Sequence, residues 1–173
     1  MTKKLDLTRL DLMDALDLGI LVEQEAMERY EELAAQMREH RTEEAATFFH
    51  FMAKAEAIHG ADLLAQRASL FGKAPRRVDR SLLWDVEAPG YENVHAFMTL
   101  REALNVALDA EVKAYDFFDQ ALKLPLTPPV KKLFEELRQE EIVHQDLVKK
   151  ELAKAPPEEG TKPEDFADEP VAQ

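Results

Sequence analysis

The sequence predicts an all-α protein, an antiparallel four-helix bundle made of two helical hairpins joined by a long crossover, and three observations carry this reading. Ala, Leu, Glu and Lys fill four long stretches in which apolar residues recur at three- and four-residue steps. The five Gly and nine Pro of the 173 residues are scattered or gather at the borders of those stretches. Two short links and one long one separate the stretches, so each short link closes a hairpin and the long one can cross the bundle. A chain of this length buries a sizeable core without disulfides or structural zinc. One compact domain is expected over residues 14–154, after a lead-in at 1–13 and before an acidic, disordered tail at 155–173.

The first helix is expected to begin near Asp11 to Asp17, where acidic residues suit a helix N-terminus, and to run to about Glu39. Leu16, Ile20, Met27, Tyr30, Ala34 and Met37 form its apolar stripe, and Glu23 falls in the same row. Glu25 lies about 200° around the helix from that row and is expected to face solvent. Thr42 can cap a second helix reaching about Phe71, with Phe49, Met52, Leu63 and Leu70 on one face and Glu56 and His59 within the stripe. From about 72 to 93, Pro, Gly and mixed charges break any helical pattern; Trp84, among Leu82, Leu83 and Val86, is expected to pin this crossover onto apolar surface. A third helix from about Val94 to Leu122 buries Leu104, Leu108, Tyr115, Phe118 and Leu122 alongside Glu111, and the run LPLTPP stops it. A fourth, from about Pro129 to Ala153, carries Leu133, Leu137, Leu147 and Val148 on the row that holds Glu141 and His144.

Composition excludes several function classes. With 22 basic against 35 acidic residues, a net charge of −13, the surface repels phosphate backbones, so no nucleic-acid partner is expected. No stretch reaches the roughly 18 uninterrupted apolar residues of a membrane span. The opening MTKKLDLTRLDLMD lacks the apolar core of a signal peptide, which makes the cytoplasm the expected location. Without cysteine there are no disulfides, thiol nucleophiles or thiolate metal sites, leaving Glu, Asp and His as the strong ligands.

Two Glu-x-x-His pairs, Glu56/His59 and Glu141/His144, sit on the stripes of the second and fourth helices. Residues three apart share a helix face, so each pair can offer an oxygen and a nitrogen to one metal. Glu23 and Glu111 add a carboxylate from each remaining helix. The two halves echo each other: Glu23-x-x-Ala26-x-x-x-Tyr30 returns as Glu111-x-x-Ala114-x-x-x-Phe118 after 88 residues, and Glu56-x-x-His59 as Glu141-x-x-His144 after 85. Four carboxylates balance two divalent cations, whereas the same acids in a metal-free core would cost several kcal/mol each or stay protonated. Acids fill 35 of 173 positions, so about one of the five histidines should follow an acid by three residues through chance alone; the pair Glu92/His95, without a partner set, is read as that coincidence. Tyr30, two turns from Glu23, is either a hydrogen-bond donor to a ligand or metal-bound oxygen, or a core tyrosine. Tyr115, Phe118, Met27 and Met52 are read as packing, and His40 and His50 as surface or rim residues.

The segments EQEAMERY, EAIH, EVKAYDFF and EIVH resemble the rubrerythrin branch of the ferritin-like di-iron carboxylate superfamily, over about Asp14 to Ala153. The resemblance implies a ferritin-like bundle in which Glu23, Glu56, His59, Glu111, Glu141 and His144 hold two Fe ions, or Mn or a mixed pair. It further implies reduction of H2O2 or O2 with oxidation of the ferrous centre, as peroxidase or ferroxidase, with H2O2, O2 or Fe(II) as small substrates. Two departures stand out. Rubrerythrins carry another carboxylate three residues after the Glu matched by Glu111, where this chain has Ala114, and a cysteine-rich electron-transfer domain, where this chain has no cysteine. An external electron donor is therefore implied, and a homodimer or larger homo-oligomer is expected. The alternative reading is a non-catalytic metal-binding bundle serving partner binding or iron storage.

Overall fold

The computed structural model describes residues 6–39, 41–80 and 98–157. Trp84, Glu92, His95, His40 and the tail beyond residue 157 lie outside the described residues. A short 3-10 turn, Leu7–Arg9, precedes four helices: α1 Leu12–Glu39, α2 Glu43–Phe71, α3 Leu100–Ala121 and α4 Pro128–Lys154, with no strand among the described residues.

The helix ends follow local chemistry. Asp11 and Asp14 cap the start of α1 reciprocally, the Asp14 N–H donating to Asp11 Oδ1 at 3.0 Å and the Asp11 N–H to Asp14 Oδ2 at 3.3 Å. Asp17, expected among the N-terminal acids, is instead fully buried inside α1 and paired with Arg67 of α2, whose Nη2 also donates to Ala74 O at 3.0 Å. After α1, Arg41 takes the left-handed conformation at φ 61°, and the Thr42 N–H closes onto Met37 O at 2.8 Å. Thr42 stands at the N-cap of α2, but its side chain makes no capping hydrogen bond. The third helix begins at Leu100 rather than near Val94, because Thr99 and Glu102 form a capping box there: Thr99 Oγ1 accepts from the Glu102 N–H, and Glu102 Oε2 from the Thr99 N–H at 2.7 Å. The end of α4 is held by Arg101, which donates to the carbonyls of Leu152, Ala155 and Pro156.

The core falls into two apolar clusters, and all four helices contribute to each. One gathers Leu16, Ile20, Leu63, Phe118, Phe134 and Leu137; the other gathers Leu33, Met37, Phe49, Met52, Leu104 and Val148. Each side chain buried in this way contributes about 1.5–3 kcal/mol. The order in which each helix visits the clusters gives the topology. Helices α1 and α4 run from the first cluster to the second, and α2 and α3 run the opposite way. Both hairpins are thus antiparallel, and the chain must return the length of the bundle between Phe71 and Leu100. The start of that return lies along α1: Val78 packs into the first cluster, Arg77 pairs with Asp11 and Asp14, and Arg80 pairs with Glu28. Leu70, expected on the buried face of α2, is 54% exposed. The last turn of α2 directs Arg67 at Asp17 and packs Phe71 on the core, which leaves Leu70 outside.

Candidate metal centre

Between the two apolar clusters lies a polar layer, one part from each helix. Glu23 of α1, Glu56 of α2, Glu111 of α3 and Glu141 and His144 of α4 are each at most 3% exposed. Every one of these residues occupies the row that supplies its helix's core contacts above and below, so the amphipathic pattern that buries Leu and Phe also buries the acids. His59 is half-buried, with a quarter of its side chain accessible. The inner face of α2 passes through Glu56, Gly60 and Leu63, and His59 stands one position beside it. At Gly60 an added Cβ would meet Glu23 Cβ at 3.4 Å, so the small residue lets the α2 backbone lie close to the α1 acid.

The six side chains predicted from the sequence are brought together. His144 Nδ1 lies 3.2 Å from Glu111 Oε2 and 3.3 Å from Glu56 Oε1. The His59 and His144 rings stack in parallel, 4.9 Å between centroids with 2° between planes. Three trios each present one ligand atom per residue within 4.8 Å of one another: Glu56, His59 and His144; Glu111, Glu141 and His144; and Glu23, His59 and Glu140. Tyr30 is buried and stacked on Phe49, and its hydroxyl donates to Glu111 Oε1 at 2.5 Å. Of its two sequence readings, the structure favours the donor to a candidate ligand. Glu140 was not singled out from sequence. Its signal was the doubled acid Glu140–Glu141 set four and three residues before His144, which a charge-rich helix disguises.

Among the described residues, His50 and Glu25 fall away from the layer. His50 is exposed and sits 3.0 Å from Glu31, while Glu25 lies at the rim, 4.0 Å from Arg80. Phe118 and Met52 are core residues; Met27 and Tyr115 are partly buried.

The electrostatics are those of a crowded, desolvated acid cluster. Burial pushes the Glu23 carboxyl up to about 7, with the charges of Glu140 and Glu111 acting in the same direction against a hydrogen bond with Glu56 and the His144 charge. Burial, then repulsion from Glu111 and Glu23, holds Glu56 well above the carboxylate range. Burial lowers His59, with the neighbouring His144 adding to it. At His144 burial opposes the charge, but the Glu111 hydrogen bond and the surrounding carboxylates outweigh it and raise the pKa. Two buried atoms, Glu23 Oε2 and His59 Nδ1, have no hydrogen-bond partner among the described residues. Orphaned oxygen and nitrogen atoms facing one layer, with carboxylates that burial forces toward the neutral form, fit a pair of first-row divalent ions.

Comparison with known proteins agrees with this arrangement. A search of curated proteins finds no match. The chain is similar to an uncharacterized conserved protein from Magnetospirillum magnetotacticum MS-1, known from a crystal structure. The two share 29% identity at a TM-score of 0.66, over 88% of this chain and 100% of that one. The rubrerythrin family profile matches residues 14–152. That match runs through every residue converging between the two apolar clusters, and the chain belongs to the rubrerythrin family.

Proposed function

We propose that this chain is a di-iron oxidoreductase that reduces H2O2 or O2 as its ferrous centre is oxidised, in oxidative-stress defence or iron handling. The observation that carries the reading is the convergence of four nearly inaccessible carboxylates and two imidazoles, from four helices, in one layer. Glu23, Glu56, His59, Glu111, Glu141 and His144 would hold the pair. When bound, two ferrous ions supply the two electrons that convert peroxide and two protons into two waters. The residues of the chain set the conditions for that step. Tyr30 keeps its proton on Oη and fixes Glu111 Oε1, while His144 engages the other oxygen, so Glu111 is held from both sides. The packed clusters exclude bulk water and large organic substrates, and the half-buried edge at His59 and Glu140 admits small solutes. The chain contains no cysteine, so electrons for turnover come from an external donor. A cytoplasmic homodimer, and Mn or a mixed pair in place of Fe, belong to the same proposal.

Anaerobic reconstitution with Fe(II), followed by the absorbance response to stoichiometric H2O2 and separately to O2, tests it. Two irons per chain oxidised rapidly are expected, and the faster oxidant separates peroxidase from ferroxidase chemistry. Absence of stoichiometric iron would favour a different metal or a non-catalytic bundle.

A further inference from the structure

Glu140 lies outside the six-residue set, yet it joins two of its members. Glu140 Oε2 stands 3.8 Å from His59 Nδ1. That is too long for a hydrogen bond. It suits two donors to one cation, because atoms each about 2.1 Å from an ion are at most about 4.2 Å apart. Ligand atoms of Glu23, His59 and Glu140 all lie within 4.8 Å of one another. Two of these residues carry buried atoms without a hydrogen-bond partner among the described residues, Glu23 Oε2 and His59 Nδ1, and Glu23 is only 3% exposed. A cation seated among the three would satisfy both.

The internal repeat does not supply this carboxylate. An offset of 85 residues places Ala55 at the equivalent position in the first half, and α3 offers the buried Ala114 one turn after Glu111. On α4, however, Glu140 and Glu141 precede His144 by four and three residues, so both flank the same imidazole row. Glu141 joins the trio with Glu111, and Glu140 joins the one with Glu23. One helix therefore serves both ends of the layer.

We propose that Glu140 is a seventh metal ligand, completing the position built on Glu23 and His59 at the half-buried edge of the centre. The proposal rests on the di-metal reading and extends it to a residue from a different helix and half of the chain.

Equilibrium dialysis of the full chain against anaerobic Fe(II), repeated with Co(II) to record its ligand-field spectrum, tests the assignment in wild type, Glu140→Gln and Glu140→Ala. The expected result is two ions in wild type. Both variants should keep one tight ion and bind the second at least about tenfold more weakly, with an altered Co(II) spectrum and unchanged circular dichroism. Gln preserves shape and polarity, so its failing together with Ala identifies the anionic oxygen as what is lost. Two ions at wild-type affinity and spectrum in Glu140→Gln would overturn the ligand role and leave the di-metal reading intact, as would slower uptake with unchanged affinity. A wild-type chain that binds neither metal overturns both.

Discussion

The His144 side of the centre is closed and the His59 side opens to the rim: 4% of the His144 side chain is accessible against 25% for His59. The two belong to the same motif on equivalent helices, and their surroundings differ at two echoed positions. Seven residues after Glu23 stands Tyr30, whose hydroxyl donates to Glu111; seven after Glu111 stands Phe118, which has no hydroxyl to give. One residue before Glu56 stands Ala55; one before Glu141 stands Glu140. Glu111 is accordingly gripped on both oxygens, whereas Glu23 keeps an unpartnered one. The internal repeat supplies two similar sets of candidate ligands, and single differences around them leave one set closed and the other open to the rim.

The largest effect expected from breaking this comparison comes from the histidines. His144 Nδ1 lies within 3.3 Å of both Glu56 and Glu111, which belong to different donor trios, so His144→Ala should lower metal affinity at both positions by at least about a hundredfold. His59→Ala should release one ion and retain the other; metal analysis after desalting distinguishes the two, with helix content by circular dichroism preserved in each.

Metal removal should change the pH dependence of stability. In the metal-free protein burial raises Glu23 from 4.5 to about 7. The native state then binds more protons than the unfolded chain across that window, and its stability falls as pH rises through it; Glu56 acts in the same direction. Ions on the carboxylates displace those protons, so the metal-loaded chain should lack this slope. Thermal melts with and without iron should differ little near pH 5 and by a few kcal/mol, order of magnitude, above pH 7.

Tyr30→Phe should make the two sides more alike by freeing Glu111 Oε1. Loss of a buried hydrogen bond to a charged group costs about 1.5–3 kcal/mol. In iron titration the ion on Glu111 should bind about tenfold more weakly. The smallest effect belongs to His50→Ala: exposed against Glu31, it should leave iron content unchanged and stability within about 0.5 kcal/mol.

Much of this architecture was legible in the sequence because the acids share their rows with the core. Glu23 lies among Ile20, Ala26 and Tyr30, and Glu111 among Leu104, Ala107 and Phe118, so helical period alone aims them inward. What period does not carry are choices made across the bundle. Asp17 and Arg67 are 50 residues apart, and neither reveals the other. The start of α3 was set by the Thr99–Glu102 box rather than by apolar spacing. The Tyr30 bond to Glu111 and the approach of Glu140 to His59 likewise depend on which helix faces which, and this appears only once the hairpins are docked.

Among the described residues, the polar layer also divides the interior into an apolar block of four-helix contacts at each end. Helix backbones and a seam of crowded carboxylates join the two blocks among these residues, so in the metal-free chain each end is expected to open as its own cooperative unit. Ions that tie all four helices together at the seam would fuse the two units into one. Hydrogen exchange would then show a single protection profile where two had been, and a bound metal pair would act as a mechanical bolt.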